Sequence, residues 1–137
     1  MSNSPLVSYT KLSPNHSGQR TRKIDRITPH CVVGQCSVER LGDIFLPASR
    51  EASCNYGIGA DGRVGMYVEE KNRSWCSSSN ANDQRAVTIE CASDGAEPYA
   101  FRNVVYQFLI VGMRYASASV MQGAAEVIAY GTAVKFV

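Results

Sequence analysis

The order of apolar and polar positions divides this chain into short elements of two alternating kinds. Ile24–Val33 (IDRITPHCVV) is rich in β-branched residues and ends at Gly34, which predicts a strand. Ser37 is placed to cap a helix, and Val38, Leu41, Ile44 and Phe45 recur at helical spacing before Pro47. Together they predict a short helix over Ser37–Leu46. Asn55–Gly59 and Arg63–Val68 flank Ala60-Asp61-Gly62, and Asp-Gly supplies the positive-φ turn of a hairpin. Glu69–Gln84 is polar, with Ser77-Ser78-Ser79-Asn80 at its centre, and is expected as a loop. Ala86–Ala92 (AVTIECA) is a short apolar run suited to a strand buried on both faces. Glu97-Pro98 then opens a helix that runs through Val104, Val105, Phe108 and Leu109. Ahead of all these, Pro5, Ser13-Pro14-Asn15 and Ser17-Gly18 are turn signals with little apolar pattern between them, so residues 1–22 are expected as an arm. Strands alternating with helices predict an α/β domain over 23–110, followed by a tail over 111–137; no internal repeat is present.

Composition narrows this picture. A chain of 137 residues is long enough for one core, and 45% hydrophobic against 19% charged residues describes a folded domain. The net charge of +2 is too small to point to nucleic acid. The bias is local, in Arg20, Arg22, Lys23 and Arg26, which form either a solvated face or an attraction for an anionic polymer. Five cysteines, an odd count without the spacing of small secreted scaffolds, argue against a disulfide framework. Residues 1–12 lack a charged start followed by an apolar run, so synthesis in a cytosol without a secretory signal is expected. The longest apolar stretch, around Val104–Met113, is interrupted and too short to span a bilayer, so no membrane partner is expected.

Two residues stand out chemically. His30 lies near the C-terminal end of a predicted strand, where it is either structural or a metal ligand. Cys31 cannot readily share a metal with it, because successive strand side chains point to opposite faces. Glu90 sits within an apolar strand. A carboxylate there is costly to desolvate unless it is paired, bound to metal, or raised in pKa.

The ordered segments Ile27–Val33 (ITPHCVV), Ala52–Gly65 (ASCNYGIGADGRVG), Arg73–Cys76 (RSWC) and Ala86–Cys91 (AVTIEC) resemble the type-2 N-acetylmuramoyl-L-alanine amidases and the related peptidoglycan recognition proteins. The likeness runs from about Ser8 to Ile110 and is closest to the endolysin-like branch of phages and prophages. It implies a mixed central β-sheet flanked by helices, holding one Zn²⁺ in a surface groove. It also implies hydrolysis of the amide between N-acetylmuramic acid and L-alanine in peptidoglycan. By resemblance, His30 is the first zinc ligand and Glu90 is the acidic residue beside the metal, able to move a proton to the leaving nitrogen. Cys54, Asn55 and Tyr56 match a segment lining the groove, with Cys54 at a place where recognition-protein relatives have a carbonyl-holding Tyr. Trp75-Cys76 matches a Trp-His pair of other branches; Trp75 either stacks on sugar or fills core, and Cys76 is either active or an inert thiol. Cys54, Asn55 and Trp75 are thus the expected substrate contacts.

The chain departs from the family after Ile110. The resemblance calls for a second zinc ligand, His, and a third, Cys or Asp, from a segment like H-x-W-F-A…C-P-G, whereas residues 111–137 contain neither His nor Cys. The remaining histidine, His16, lies on the expected arm. One account is a frameshift near Val111: a shifted reading of Met113–Met121 permits Ala-Leu-Cys-Ile-Cys-Lys-Arg-Asn, resembling a helix end of related amidases. The other is a native tail whose small residues, including Ala116, Ala118, Gly123, Ala124 and Ala125, build a short helix and a terminal strand. Three functions follow: an amidase with an impaired zinc site, a groove that binds peptidoglycan without cutting it, or a cysteine hydrolase using Cys54 or Cys76 with His30.

Overall fold

The computed structural model describes residues 3–32, 34–92, 110–121 and 124–133, the last two stretches as backbone strands alone. The strands are β1 (Val7–Thr10), β2 (His16–Gln19), β3 (Arg26–Val32), β4 (Tyr56–Ile58), β5 (Val64–Met66), β6 (Asn72–Ser74), β7 (Ala86–Ala92), β8 (Ile110–Met121) and β9 (Ala124–Ala133). The helices are α1 (Val38–Phe45) and α2 (Asn80–Asp83), with a 3₁₀ turn at Ala48–Arg50. No helix among the described residues is long and apolar enough to cross a membrane.

A mixed five-stranded sheet, ordered β1-β5-β4-β7-β3, forms the centre. β3, β7 and β4 run parallel, β4 and β5 form the antiparallel hairpin, and β1 lies parallel to β5. β7 occupies the span its apolar run predicts, and β3 begins two residues later than expected, at Arg26. α1 fills the predicted helix, with the Ser37 hydroxyl accepting from the Arg40 N–H at 3.2 Å. The hairpin turns through Gly62 at φ +80°, a left-handed value that costs glycine nothing.

Three expectations are corrected. The supposed arm carries β1, which edges the central sheet, and β2, which pairs with β6. The supposed loop 69–84 contains β6 and α2. Both segments are polar because their strands are three or four residues long and half exposed, leaving no apolar alternation to detect. In the tail, β8 and β9 pair antiparallel, in place of the short helix and terminal strand that the native-tail alternative offered. The helix expected from Pro98 lies outside the described residues.

The period-2 alternation of the strands sorts the core onto two faces. Tyr56, Ile58, Val64, Ile89 and Cys91 pack together on one. On the other, Leu41 and Phe45 of α1 pack with Cys54 and Tyr67. Tyr67 is fully buried, its hydroxyl donating to the Val38 carbonyl at 2.7 Å. Its ring lies over Gly57 and Gly65: a Cβ on Gly57 would come within 2.6 Å of the ring and 2.8 Å of Leu41, and one on Gly65 would strike the hydroxyl. Two glycines facing one buried ring let α1 sit close against the sheet.

The start of α1 is tied to the hairpin turn by charge. Arg63 reaches Glu39 with two bonds, at 2.7 and 3.0 Å, and Asp61 at 2.7 Å. The Arg63 hydrogen bonds hold the Glu39 carboxyl down from 4.5 to about 2, and hold Asp61 below its ordinary value. Groups whose folded pKa is depressed contribute stability above their unfolded pKa and lose it as pH falls through the folded one. The denaturant midpoint should therefore decline as pH drops from about 4.5 toward about 2. Arg63→Ala should flatten that decline, as measured by urea unfolding at a series of pH values.

Candidate functional site

In the parallel register of β3 and β7, His30 lies opposite Glu90, with Gly57 of β4 next in the same row. Side chains at one register position share a face, so the histidine and the carboxylate stand side by side on the α1 face, toward the C-terminal ends of their strands. Cys31, one residue on, falls in register with Cys91 on the opposite face. Cys76, just after β6, completes the group: its Sγ lies 3.8 Å from His30 Nδ1 and 3.8 Å from Glu90 Oε1, and those two atoms are 3.7 Å apart. Among the described residues, His30, Cys76 and Glu90 are the group placed to share a metal ion.

The site is half-buried, with the His30 and Glu90 side chains 23% and 16% exposed. Burial pushes the Glu90 carboxyl up, and the nearby His30 opposes it. Burial also pushes the Cys76 thiol well up, reinforced by the negative charges of Glu90 and Asp83. His30 Nε2 is buried without a hydrogen-bond partner. Cys76 and Glu90 line a groove of about 300 Å³ whose walls also include Val32, Leu41, Ile44, Phe45, Arg50 and Trp75. A larger cavity, about 930 Å³, lies toward the N-terminal ends of β3 and β7. It is lined by Arg22, Arg26, Arg85 and residues of α2, and among the described residues no His, Cys or carboxylate lines it.

The loop that presents Cys76 is held by a buried carboxylate. Asp83, fully buried at the end of α2, accepts from the Cys76 N–H at 3.1 Å, the Ser77 N–H at 3.2 Å and the Ser77 hydroxyl at 2.5 Å. On the other side, Trp75 N–H donates to Ser53 Oγ at 3.1 Å, and the Ser53 N–H to the Trp75 carbonyl at 2.9 Å. Trp75 Nε1 donates to Ser17 Oγ at 2.7 Å, fixing the indole at the groove wall.

Of the residues expected at the site, Glu90 and Trp75 line the groove, and His30 stands beside Glu90 at 3.7 Å. Cys54 and Asn55 are not: both are completely buried beneath it. Asn55 spends its whole amide internally. Its oxygen accepts from Arg20 and Thr88, and its nitrogen donates to the carbonyls of Val68, Glu69 and Asn72. Burial likewise pushes the Cys54 thiol far up. A polar residue so fully satisfied has nothing left for a substrate. Sequence reasoning left Cys76 undecided between an active and an inert thiol, and the signal was its match to the histidine of a Trp-His pair. His16 accepts from Gly18 N–H in β2 and is not among the residues grouped at the site.

The chain matches the family model described as "N-acetylmuramoyl-L-alanine amidase" over residues 14–132. Its fold is similar to the crystal structure of a selenomethionine derivative of AmpD, with TM-score 0.55 and 17% identity over 76% of this chain and 69% of that one. A short stretch is also similar to UPF0145 proteins. It is 69% identical over 26 residues to one from Thermus thermophilus (19% of this chain, 23% of the relative) and 68% identical over 28 residues to one from Alkaliphilus metalliredigens (20% and 27%). The chain thus spans about a quarter of the length of these curated relatives.

Removing the Asp83 carboxylate should leave buried donors unpaired and release the Cys76 loop. Asp83→Ala should cost about 2–4 kcal/mol in chemical denaturation, and alkylation of Cys76 should quicken in the folded variant.

Proposed function

The chain belongs to the N-acetylmuramoyl-L-alanine amidase family, whose members act on peptidoglycan, and from that premise we propose that it hydrolyses the amide joining N-acetylmuramic acid to L-alanine with the help of zinc. The observation that carries this reading is the pairing of His30 with Glu90, the carboxylate that lines the groove. A metal donor and a shielded carboxylate stand 3.7 Å apart at one register position of the parallel strands.

The donor chemistry fits zinc, which takes imidazole nitrogen, thiolate sulfur and carboxylate oxygen. His30, whose Nδ1 faces the gap and whose Nε2 is unpartnered, would hold it together with neighbouring donors. When bound, zinc would polarise the amide carbonyl and make a nucleophile available at neutral pH. The remaining work falls to the chain itself. Glu90, its carboxyl raised by burial, takes the proton that water loses on adding to the carbonyl carbon. It returns that proton to the alanine nitrogen as the C–N bond breaks, so the products are a carboxylic acid and an amine, which become carboxylate and ammonium at neutral pH. The wall of Leu41, Ile44 and Phe45 keeps bulk water from this exchange, and the Trp75 indole offers a flat apolar face to a sugar ring.

A second reading, peptidoglycan binding without cleavage, is favoured by the lack of His and Cys in residues 111–137. The thiol alternative is weaker, because Cys54 is fully buried and both thiols are pushed toward the protonated, non-nucleophilic form. The reading extends to an origin in the endolysin-like branch, to action on cell wall after synthesis in a bacterial cytoplasm, and to a catalytic part within 23–110.

Digestion of purified peptidoglycan tests it. The zinc-loaded protein should expose new L-alanine amino termini without releasing reducing sugar ends. His30→Ala should abolish the reaction, and Glu90→Gln should lower kcat by about 10²–10⁴-fold. Binding seen as a change in emission of Trp75, the single tryptophan, with no new amino termini, would establish the non-cleaving alternative.

A further inference from the structure

The mutual distances of His30 Nδ1, Cys76 Sγ and Glu90 Oε1 carry an inference about what lies between them. They are 3.7, 3.8 and 3.8 Å. A direct hydrogen bond between imidazole and carboxylate would draw the nitrogen and oxygen to about 2.8 Å, so the pair face each other without bonding. Yet all three atoms converge from three separate places in the fold: β3, β7 and the loop after β6. For a triangle with these sides, the point equidistant from the corners lies about 2.2 Å from each. That is close to zinc's bond lengths of roughly 2.0–2.1 Å to nitrogen, 2.0–2.2 Å to oxygen and 2.3 Å to sulfur.

We propose that His30, Cys76 and Glu90 together form the metal site of this chain, with Cys76 as a thiolate ligand to zinc. The proposal deepens the zinc-amidase reading by assigning the donors that residues 111–137 do not supply. Three protein donors with one open position is the pattern of a catalytic zinc site. The thiolate and the carboxylate offset the ion's two positive charges, so the half-buried wall gains no net charge from the filled site. Sulfur also sets the choice of metal, since a thiolate favours zinc over the oxygen-seeking magnesium, calcium and manganese.

Neighbouring groups already hold Cys76 in position. Asp83 fixes the backbone on either side of the sulfur through the N–H groups of Cys76 and Ser77. Arg20 in turn anchors Asp83 through the Asp83 carbonyl.

The test uses the whole chain, stripped of metal and reloaded with zinc or cobalt(II). One zinc should bind per chain, and bound zinc should protect Cys76 from iodoacetamide in peptide mass mapping. The cobalt form should show thiolate-to-cobalt charge-transfer absorption in the near ultraviolet. Cys76→Ser should remove that absorption and weaken zinc binding by more than about 100-fold, beyond the roughly 10–100-fold expected for losing a partner of a ligand. Zinc bound at full affinity with Cys76 still alkylated, or a cobalt form without the charge-transfer band, would overturn the assignment. Failure of the wild-type chain to take up metal would overturn it as well. The alkylation and cobalt readouts use the wild-type protein, so they stand even where the serine variant folds poorly. Amino termini released from peptidoglycan by the same zinc-loaded sample report on the amidase reading separately: cleavage without Cys76 protection sinks the ligand set and leaves the activity.

Discussion

The buried amide of Asn55 is the contact on which the rest of the site depends. It sits at the entrance to β4 with no exposure, and its five partners come from three parts of the chain. Arg20 from the N-terminal segment, Thr88 from β7 and the carbonyls around Val68–Asn72 meet on one side chain. Arg20 is itself nearly buried. It bonds the Glu70 carbonyl at 2.7 Å, the Asn55 oxygen at 2.8 Å and the Asp83 carbonyl. Burial lowers its pKa, but a guanidinium remains charged, so its desolvation must be met by these acceptors. A polar hub of this kind is worth having only if every member is satisfied, and here the oxygen and nitrogen of the amide are both fully used.

That hub explains how a loop with no apolar pattern can present a sulfur atom accurately. The segment from Asn72 to Asp83 has few buried hydrophobic anchors. It is held by Asn55 at one end, by Asp83 at the other and by the Ser53–Trp75 exchange between them. The strands contribute differently. β3 and β7 place His30 and Glu90 by register, and a shift of one residue in either strand would send its site residue to the opposite face. Backbone pairing and a side-chain network thus meet at one point, each fixing donors that the other cannot.

How much of this was legible in the sequence follows from the range of the interactions. β7, α1 and the hairpin were readable because apolar period, a serine cap and Asp-Gly are local signals. β1, β2, β6 and α2 were not, because each is short and held by contacts from distant segments, such as β1 on β5 and the His16–Gln19 strand on Asn72–Ser74. His30 was visible as a lone histidine near the end of a predicted strand and Glu90 as a carboxylate within an apolar one, but their facing geometry needed the parallel register. Cys76 is 46 residues from His30 and 14 from Glu90, joined to them by no local pattern. Cys54 and Asn55 mislead in the opposite direction: motif position suggested a groove surface, whereas the tertiary network draws both inside.

Gly57 continues the row of His30 and Glu90, and Tyr67 and Leu41 fill the space where its side chain would be. This closes one wall of the site to variation: no residue larger than glycine can be tried there without displacing a buried ring. Diversification of the groove must then come from the opposite side, where Arg50 of the 3₁₀ turn and Trp75 stand on connecting segments rather than on the sheet. The fold separates a wall that evolution must leave alone from a rim it can rewrite. An engineer reshaping the groove would begin at that rim.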